Sequence, residues 1–305
     1  MKYVKILSLL LCLSLLAGTA AGCAPSRQGD RLQVTATVFP LYDWARNIAG
    51  TAAEVTLLAD GGVDMHSFQP AASDMVAVKT CGLLLYVGGE SEQWVVKAAA
   101  DRTGPSVDLL KTLGEAALKE ELLPGMQGEP EEGYDEHVWL SLKNAAYFCG
   151  VIAEAMAAAD PANAALYRGR AAAYTDKLTA LDGAYAAGVA AAPRKTLILA
   201  DRFPFRYLAA DYGLTCYAAF PGCSAETGAS FSTVVELARR AEEAGVTAIL
   251  QLESADGSLA AAVRDATKTK DQKILTLNSL QSARSDADYL SVMEDNLTVL
   301  QEALA

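Results

Sequence analysis

Asp160-Pro161-Ala162-Asn163-Ala164-Ala165-Leu166-Tyr167 opens the stretch on which the fold turns, a run of some thirty residues dominated by Ala, Leu and Tyr that continues to about Ala191. Asp160 is placed as a helix cap and Pro161 fits the first turn, where its missing N–H is not needed. A helix that long can cross from one domain to another. On its N-terminal side, Leu32-Gln33-Val34-Thr35-Ala36-Thr37-Val38 alternates and is rich in β-branched residues, so it reads as a strand. Phe39-Pro40 breaks it, Leu41 to Ile48 has helical spacing, and Glu54 to Leu58 is a second strand. Ser73 to Lys79 reads as a short helix, and Leu83 to Val87 as an apolar strand ended by Gly88-Gly89. Leu118 to Asp135, with its Pro, Gly and Glu residues, is a loop, and Leu142 to Ala159 is helical. Beyond the long run the same grammar returns. Lys195–Ala200, Ala248–Leu252 and Ile274–Leu277 read as strands; Ser232–Ala244, Ala260–Thr267 and Asp288–Leu304 read as helices. Strands alternating with helices predict βαβ units and parallel sheets, hence an α/β fold.

The N-terminus carries two lysines, then an apolar run of about eleven residues from Ile6 to Leu16, then small residues up to Gly22-Cys23. This is the composition of a secretory signal, and a run that short does not span a bilayer as a helix. Ala20-Ala21-Gly22-Cys23 resembles a bacterial lipobox, with Ala20 where Leu is usual, which implies a lipid on Cys23 and an extracytoplasmic protein anchored to the cell membrane. Residues 24–30 read as a tether. Removing residues 1–22 takes away Lys2 and Lys5 and no acid, so the net charge moves from −12 to −14. That balance argues against nucleic acid as a partner, because phosphates need Lys and Arg. Of the remaining cysteines, Cys81, Cys149, Cys216 and Cys223, the last two are nearest in sequence, but spacing alone does not establish a disulfide.

The chain has two histidines, and both lie in loops. His66 sits in Asp64-Met65-His66-Ser67-Phe68-Gln69-Pro70, between a strand and a helix; His137 sits in Asp135-Glu136-His137-Val138-Trp139-Leu140, at the end of the acidic loop. In α/β sheets ligands bind beyond the carboxyl ends of strands, where such loops lie. Neutral imidazole is the commonest protein ligand for zinc and suits other transition metals. Spacing by itself is a weak signal here.

The flanking residues are more specific. Asp64 to Pro70 resembles the first ligand motif of the zinc/manganese substrate-binding proteins of ABC transporters, His-x-aromatic-x-Pro. Asp135 to Leu140 is similar to their Asp-Pro-His-x-Trp-Leu, with Glu136 in the place of Pro. Phe39-Pro40-Leu41-Tyr42-Asp43-Trp44, Phe205 to Leu214 and Tyr289 to Leu297 resemble further segments of that family in the same order. The resemblance implies two α/β lobes joined by one rigid helix, with the metal in the interlobe cleft. The divisions it suggests are a signal peptide over 1–22, a lipidated tether over 23–30, an N-terminal lobe over 31–159, a linking helix over 160–192 and a C-terminal lobe over 193–305.

It also implies His66 and His137 as the N-lobe donors. The family's third donor falls at Arg202, which cannot bind a cation. Asp201 is the substitute, or else a cap on the next helix. Glu226 lies where the family carries an acidic loop facing the cleft. Asp256 follows Glu253-Ser254 and is the fourth candidate, with Glu253 behind it. The implied cargo is Zn2+, with Mn2+ as the alternative; the implied partners are that divalent ion, a membrane permease and, through Cys23, the membrane, with the receptor itself a monomer.

Three other readings are separable. A surface metallohydrolase needs a general base beside an open metal position; no histidine is left over, and Glu136 is a base that could serve in principle. A lipid-anchored receptor for an organic solute would line its cleft with groups such as Trp44, Trp139 and Arg202. An adhesin-like surface lipoprotein would use the same fold for attachment.

Overall fold

The computed structural model describes residues 31–60, 62–128, 133–224 and 228–305. The signal peptide, Cys23, the tether and Glu226 therefore lie outside the described residues. From Leu32 onward the chain forms one compact unit, built as two parallel-sheet α/β lobes on either side of a long helix.

The N-terminal lobe begins with β1 (Leu32–Ala36), α1 (Phe39–Ala49) and β2 (Ala53–Leu57). It continues with α2 (Ala72–Thr80), β3 (Leu83–Tyr86), α3 (Gln93–Ala98), β4 (Ser106–Asp108) and α4 (Leu109–Leu113). The strands lie in the order β2-β1-β3-β4, all parallel. Then come α5 (Leu142–Ala159), a 3-10 turn (Pro161–Asn163) and α6 (Ala164–Ala191). The C-terminal lobe comprises β5 (Thr196–Phe203), α7 (Arg206–Tyr212), β6 (Thr215–Pro221), α8 (Phe231–Ala244), β7 (Ala248–Leu252), α9 (Ser258–Ala266) and β8 (Lys273–Leu277). It closes with α10 (Tyr289–Leu304). Its sheet, β6-β5-β7-β8, is again parallel and repeats the strand order of the first.

Three features escape the sequence pattern. Gln93–Ala98, Ser106–Leu113 and Arg206–Pro221 form elements that are too short, or too mixed in composition, to show a period. The expected helix start at Pro161 is instead a 3-10 turn. Asp160 supports it through its carboxylate, which accepts from Asn163 Nδ2 at 2.8 Å and Tyr167 Oη at 2.7 Å. The strand expected to end at Ala200 runs on to Phe203 through a register shift after Leu199.

Packing follows the two-residue period of the strands. Leu83 and Leu85 of β3, and Leu197 and Leu199 of β5, point into one core that runs without a break through both lobes. Leu84 faces the other way, onto Val78 of α2 and Val95 of α3. Ile198 and Ala200 likewise meet Leu237 of α8 and Val263 of α9. The shared core is closed by α6, whose buried residues Tyr167, Ala171, Tyr174, Leu178, Leu181, Tyr185 and Val189 recur every three or four positions. Two of its hydroxyls fasten it to opposite lobes. Tyr174 Oη donates to Asp43 Oδ2 in α1 at 2.9 Å, and Tyr185 Oη donates to the Met293 carbonyl in α10 at 2.6 Å. Among the described residues no helix is long and apolar enough to cross a membrane.

Candidate metal centre

His66 lies within a 3-10 turn (Met65–Ser67) and His137 directly precedes another (Val138–Leu140), and the two loops share one device. Asp64 Oδ1 accepts the backbone N–H of His66 at 2.9 Å, and Asp135 Oδ1 accepts that of His137 at 2.8 Å. An Asp two residues ahead bends the chain back on itself, as short acidic side chains do at turns. Asp135 also orients the ring, since the same Oδ1 takes Nδ1–H of His137 at 3.0 Å. The other ring is held through Nδ1 by Ser91 Oγ at 2.7 Å, and Ser91 N–H donates to Glu136 Oε1 at 2.9 Å. With each Nδ1 occupied, each Nε2 is directed away from its own loop. The two Nε2 atoms stand 3.3 Å apart.

That distance has a chemical meaning. Two nitrogens bound to one tetrahedral zinc at about 2.0–2.1 Å lie roughly 3.3–3.4 Å apart. The pair therefore already spans one edge of a zinc coordination tetrahedron. His137 is fully buried. Burial pushes the His66 imidazolium down to about 3, aided by the neighbouring His137 ring, so this ring offers a lone pair at neutral pH. Burial also works against charge on His137, but the Asp135 carboxylate outweighs it and moves that ring upward.

A third group capable of donating comes from the C-terminal lobe. The turn after β6 brings Cys223 to the histidines, and the donor atoms of His66, His137 and Cys223 all lie within 4.8 Å of one another. Gly222 makes this approach possible. A Cβ there would meet the Phe203 carbonyl at 2.8 Å and the His137 ring at 3.0 Å. None of the four cysteines among the described residues is in a disulfide; Cys223 turns toward the imidazoles and away from a pairing with Cys216. The turn after β8 supplies Gln281, 6% exposed, whose Nε2 lies 2.5 Å from His137 Nε2 while its Oε1 is buried without a partner. Leu280 before it is held in the left-handed region, φ 62°, a conformation that disfavours a branched side chain. Ser279 anchors the turn by donating N–H and Oγ–H to the two oxygens of Glu253, at 2.9 and 2.8 Å.

The predicted acids fall differently. Asp201 lines the cleft with His66, but its oxygens accept the backbone N–H of Arg202 at 2.8 Å and of Leu252 at 3.1 Å. Asp256 is exposed on the same wall and accepts from Ser258 N–H at 2.8 Å at the start of α9. Neither belongs to the close donor group, and Glu253 is committed to Ser279. Arg202 reaches across the cleft to Asp64 Oδ2 at 2.6 Å, because the register shift in β5 re-aims this part of the strand. Glu136, weighed above as a base for hydrolysis, is buried, and its Oε1 accepts the Ser91 amide. The cleft beside His66 is a cavity of about 450 Å³. A second cavity of about 660 Å³ on the far side of Glu136 is lined by Glu90, Asp108, Glu115 and Glu120.

Fold and site together define the class: a two-lobed α/β protein whose cleft brings two imidazoles and a cysteine sulfur close together. The chain belongs to the ZnuA family, whose model, described as zinc-uptake complex component A, periplasmic, matches residues 34–303. It is 31% identical over 314 aligned positions, 98% of this chain, to the zinc-binding lipoprotein AdcA of Streptococcus pneumoniae serotype 4. The chain spans 61% of the length of that relative. It is 27% identical to the high-affinity zinc uptake system protein ZnuA of Bacillus subtilis, covering 93% of this chain and 90% of that protein. The crystal structure of the Zn(II)-bound ZnuA-like domain of Streptococcus pneumoniae AdcA matches with a TM-score of 0.72 at 29% identity, over 90% of this chain and 99% of that one.

Proposed function

We propose that this protein is the extracytoplasmic solute-binding component of a metal ABC importer, which captures Zn2+ and hands it to a membrane permease. The observation that carries the reading is the 3.3 Å separation of two Nε2 atoms, each ring fixed by a hydrogen bond to its Nδ1. Such outer partners set ring orientation in metal sites. Manganese prefers oxygen donors, whereas imidazole and thiolate suit zinc, so the donor set favours zinc over the Mn2+ alternative. The cleft acids Asp201 and Asp256 then act by charge. With both histidines engaged and Glu136 sequestered, the site is fitted to hold an ion rather than to turn over a substrate. Relatives named for zinc binding and zinc uptake support the same reading.

Competition with a chromophoric chelator tests it. His66→Ala and His137→Ala are each expected to weaken zinc binding by orders of magnitude with the circular-dichroism spectrum unchanged; affinities equal to wild type would refute the assignment. We further propose that a lipid on Cys23 holds the receptor at the membrane as a monomer. Wild type should then partition into detergent, and Cys23→Ser should stay in the aqueous phase.

A further inference from the structure

We propose that Cys223 is the third metal donor, so that zinc is held by two imidazoles and one thiolate, with the amide oxygen of Gln281 completing the shell. The proposal rests on the zinc-capture reading and specifies its chemistry.

Four observations converge. Sγ of Cys223 lies within 4.8 Å of the ligating atoms of both histidines, and tetrahedral zinc with Zn–S about 2.3 Å needs an N···S edge of roughly 3.5 Å. A shift of about an ångström by the Cys223 side chain closes that gap. Gly222 permits the approach, since any side chain there would strike His137 and the Phe203 carbonyl. The turn is also pinned to the opposite lobe, because Gly222 N–H donates to Glu120 Oε1 at 2.8 Å. Finally, Gln281 is almost wholly buried beside the same nitrogen and has an orphaned oxygen. A buried carbonyl oxygen without a partner is costly. Half a turn about the last side-chain torsion exchanges its oxygen and nitrogen and presents the oxygen to an ion at His137 Nε2.

The acids Asp201 and Asp256 already serve backbone amides, and Arg202 pairs with Asp64. Cys223 is therefore the C-lobe side chain whose donor atom lies within 4.8 Å of a ring nitrogen of each imidazole, and metal binding would release its thiol proton. A thiolate is soft, favouring zinc over manganese more strongly than a carboxylate would.

The test substitutes Co2+ for zinc in the purified protein. Wild type should show a near-ultraviolet thiolate-to-cobalt charge-transfer band, Cys223→Ser should lose it, and Cys81→Ser, a remote control, should keep it. Cys223→Ser should bind zinc at least about 100-fold more weakly, beyond the usual effect of an outer-shell loss. Cys223→His should restore zinc affinity without restoring the band. Zinc should also shield Cys223 from alkylation by N-ethylmaleimide. Tight zinc binding without the band, and with Cys223 alkylated at the same rate, overturns the thiolate assignment and leaves the receptor reading standing. Failure of the wild type to bind zinc at all removes both.

Discussion

Asp135 sets the geometry of the histidine in its own loop. One oxygen shapes the turn through the His137 amide and also grips Nδ1, fixing which nitrogen faces the cleft. Asp135→Asn keeps the size and the turn but weakens the charge-assisted bond. Zinc affinity should fall about 10- to 100-fold, the range for losing an outer-shell carboxylate, while the melting temperature of the metal-free protein changes little; calorimetric titration measures the first and thermal unfolding the second. The two histidines were legible in the sequence through the residues that flank them; the carboxylate that holds the second ring was not. Cys223 and Gln281 were not. They follow separate strands 58 residues apart, and local pattern does not report that two such turns meet over one imidazole. Gly222-Cys223 was the one available hint, a small residue ahead of a soft donor after a strand that the sequence also concealed.

At the scale of elements, the end of β3 is tied to the start of α3 by one carboxylate. Glu92 is buried, and its Oε2 accepts the amides of Val87 at 2.7 Å and Gly88 at 2.8 Å. Burial pushes its carboxyl up to about 7 from an ordinary 4.5, despite those bonds. The folded protein thus keeps this proton to higher pH than the unfolded chain. Stability from this group is complete below about pH 4.5 and is lost as pH rises through 7, by at most about 3 kcal/mol. Glu92→Gln, neutral throughout, should flatten the fall in melting temperature of the metal-free protein between pH 5 and 8; an unchanged slope would place the titration elsewhere. Long elements with a clear period were readable almost to the residue, as with Leu142–Ala159 and Ala248–Leu252. Short ones such as β4 were not, since three residues cannot display an alternation.

Across the whole molecule, several ties between the lobes lie outside the donor group. Arg202 meets Asp64, Ser285 meets Asp60, Trp139 Nε1 donates to the Ser279 carbonyl, and Tyr207 Oη donates to the Asp135 carbonyl. Beneath them lies one continuous apolar core, closed by α6. Separating the lobes would expose that core, so small-angle scattering should give the same radius of gyration with and without zinc; a clear contraction would show that the lobes hinge. The two-lobe plan was visible in the sequence as repeated grammar around one long helix, whereas the matching strand orders were not, because order within a sheet depends on contacts distant along the chain. Rigid lobes bear on how a permease would sort its visitors. When outline hardly changes, silhouette carries no message, and under the proposed zinc capture a laden form would differ from a vacant one mainly by the charge held between its lobes. Docking that distinguishes the two must then sense local potential, and it should lose that discrimination as ionic strength rises.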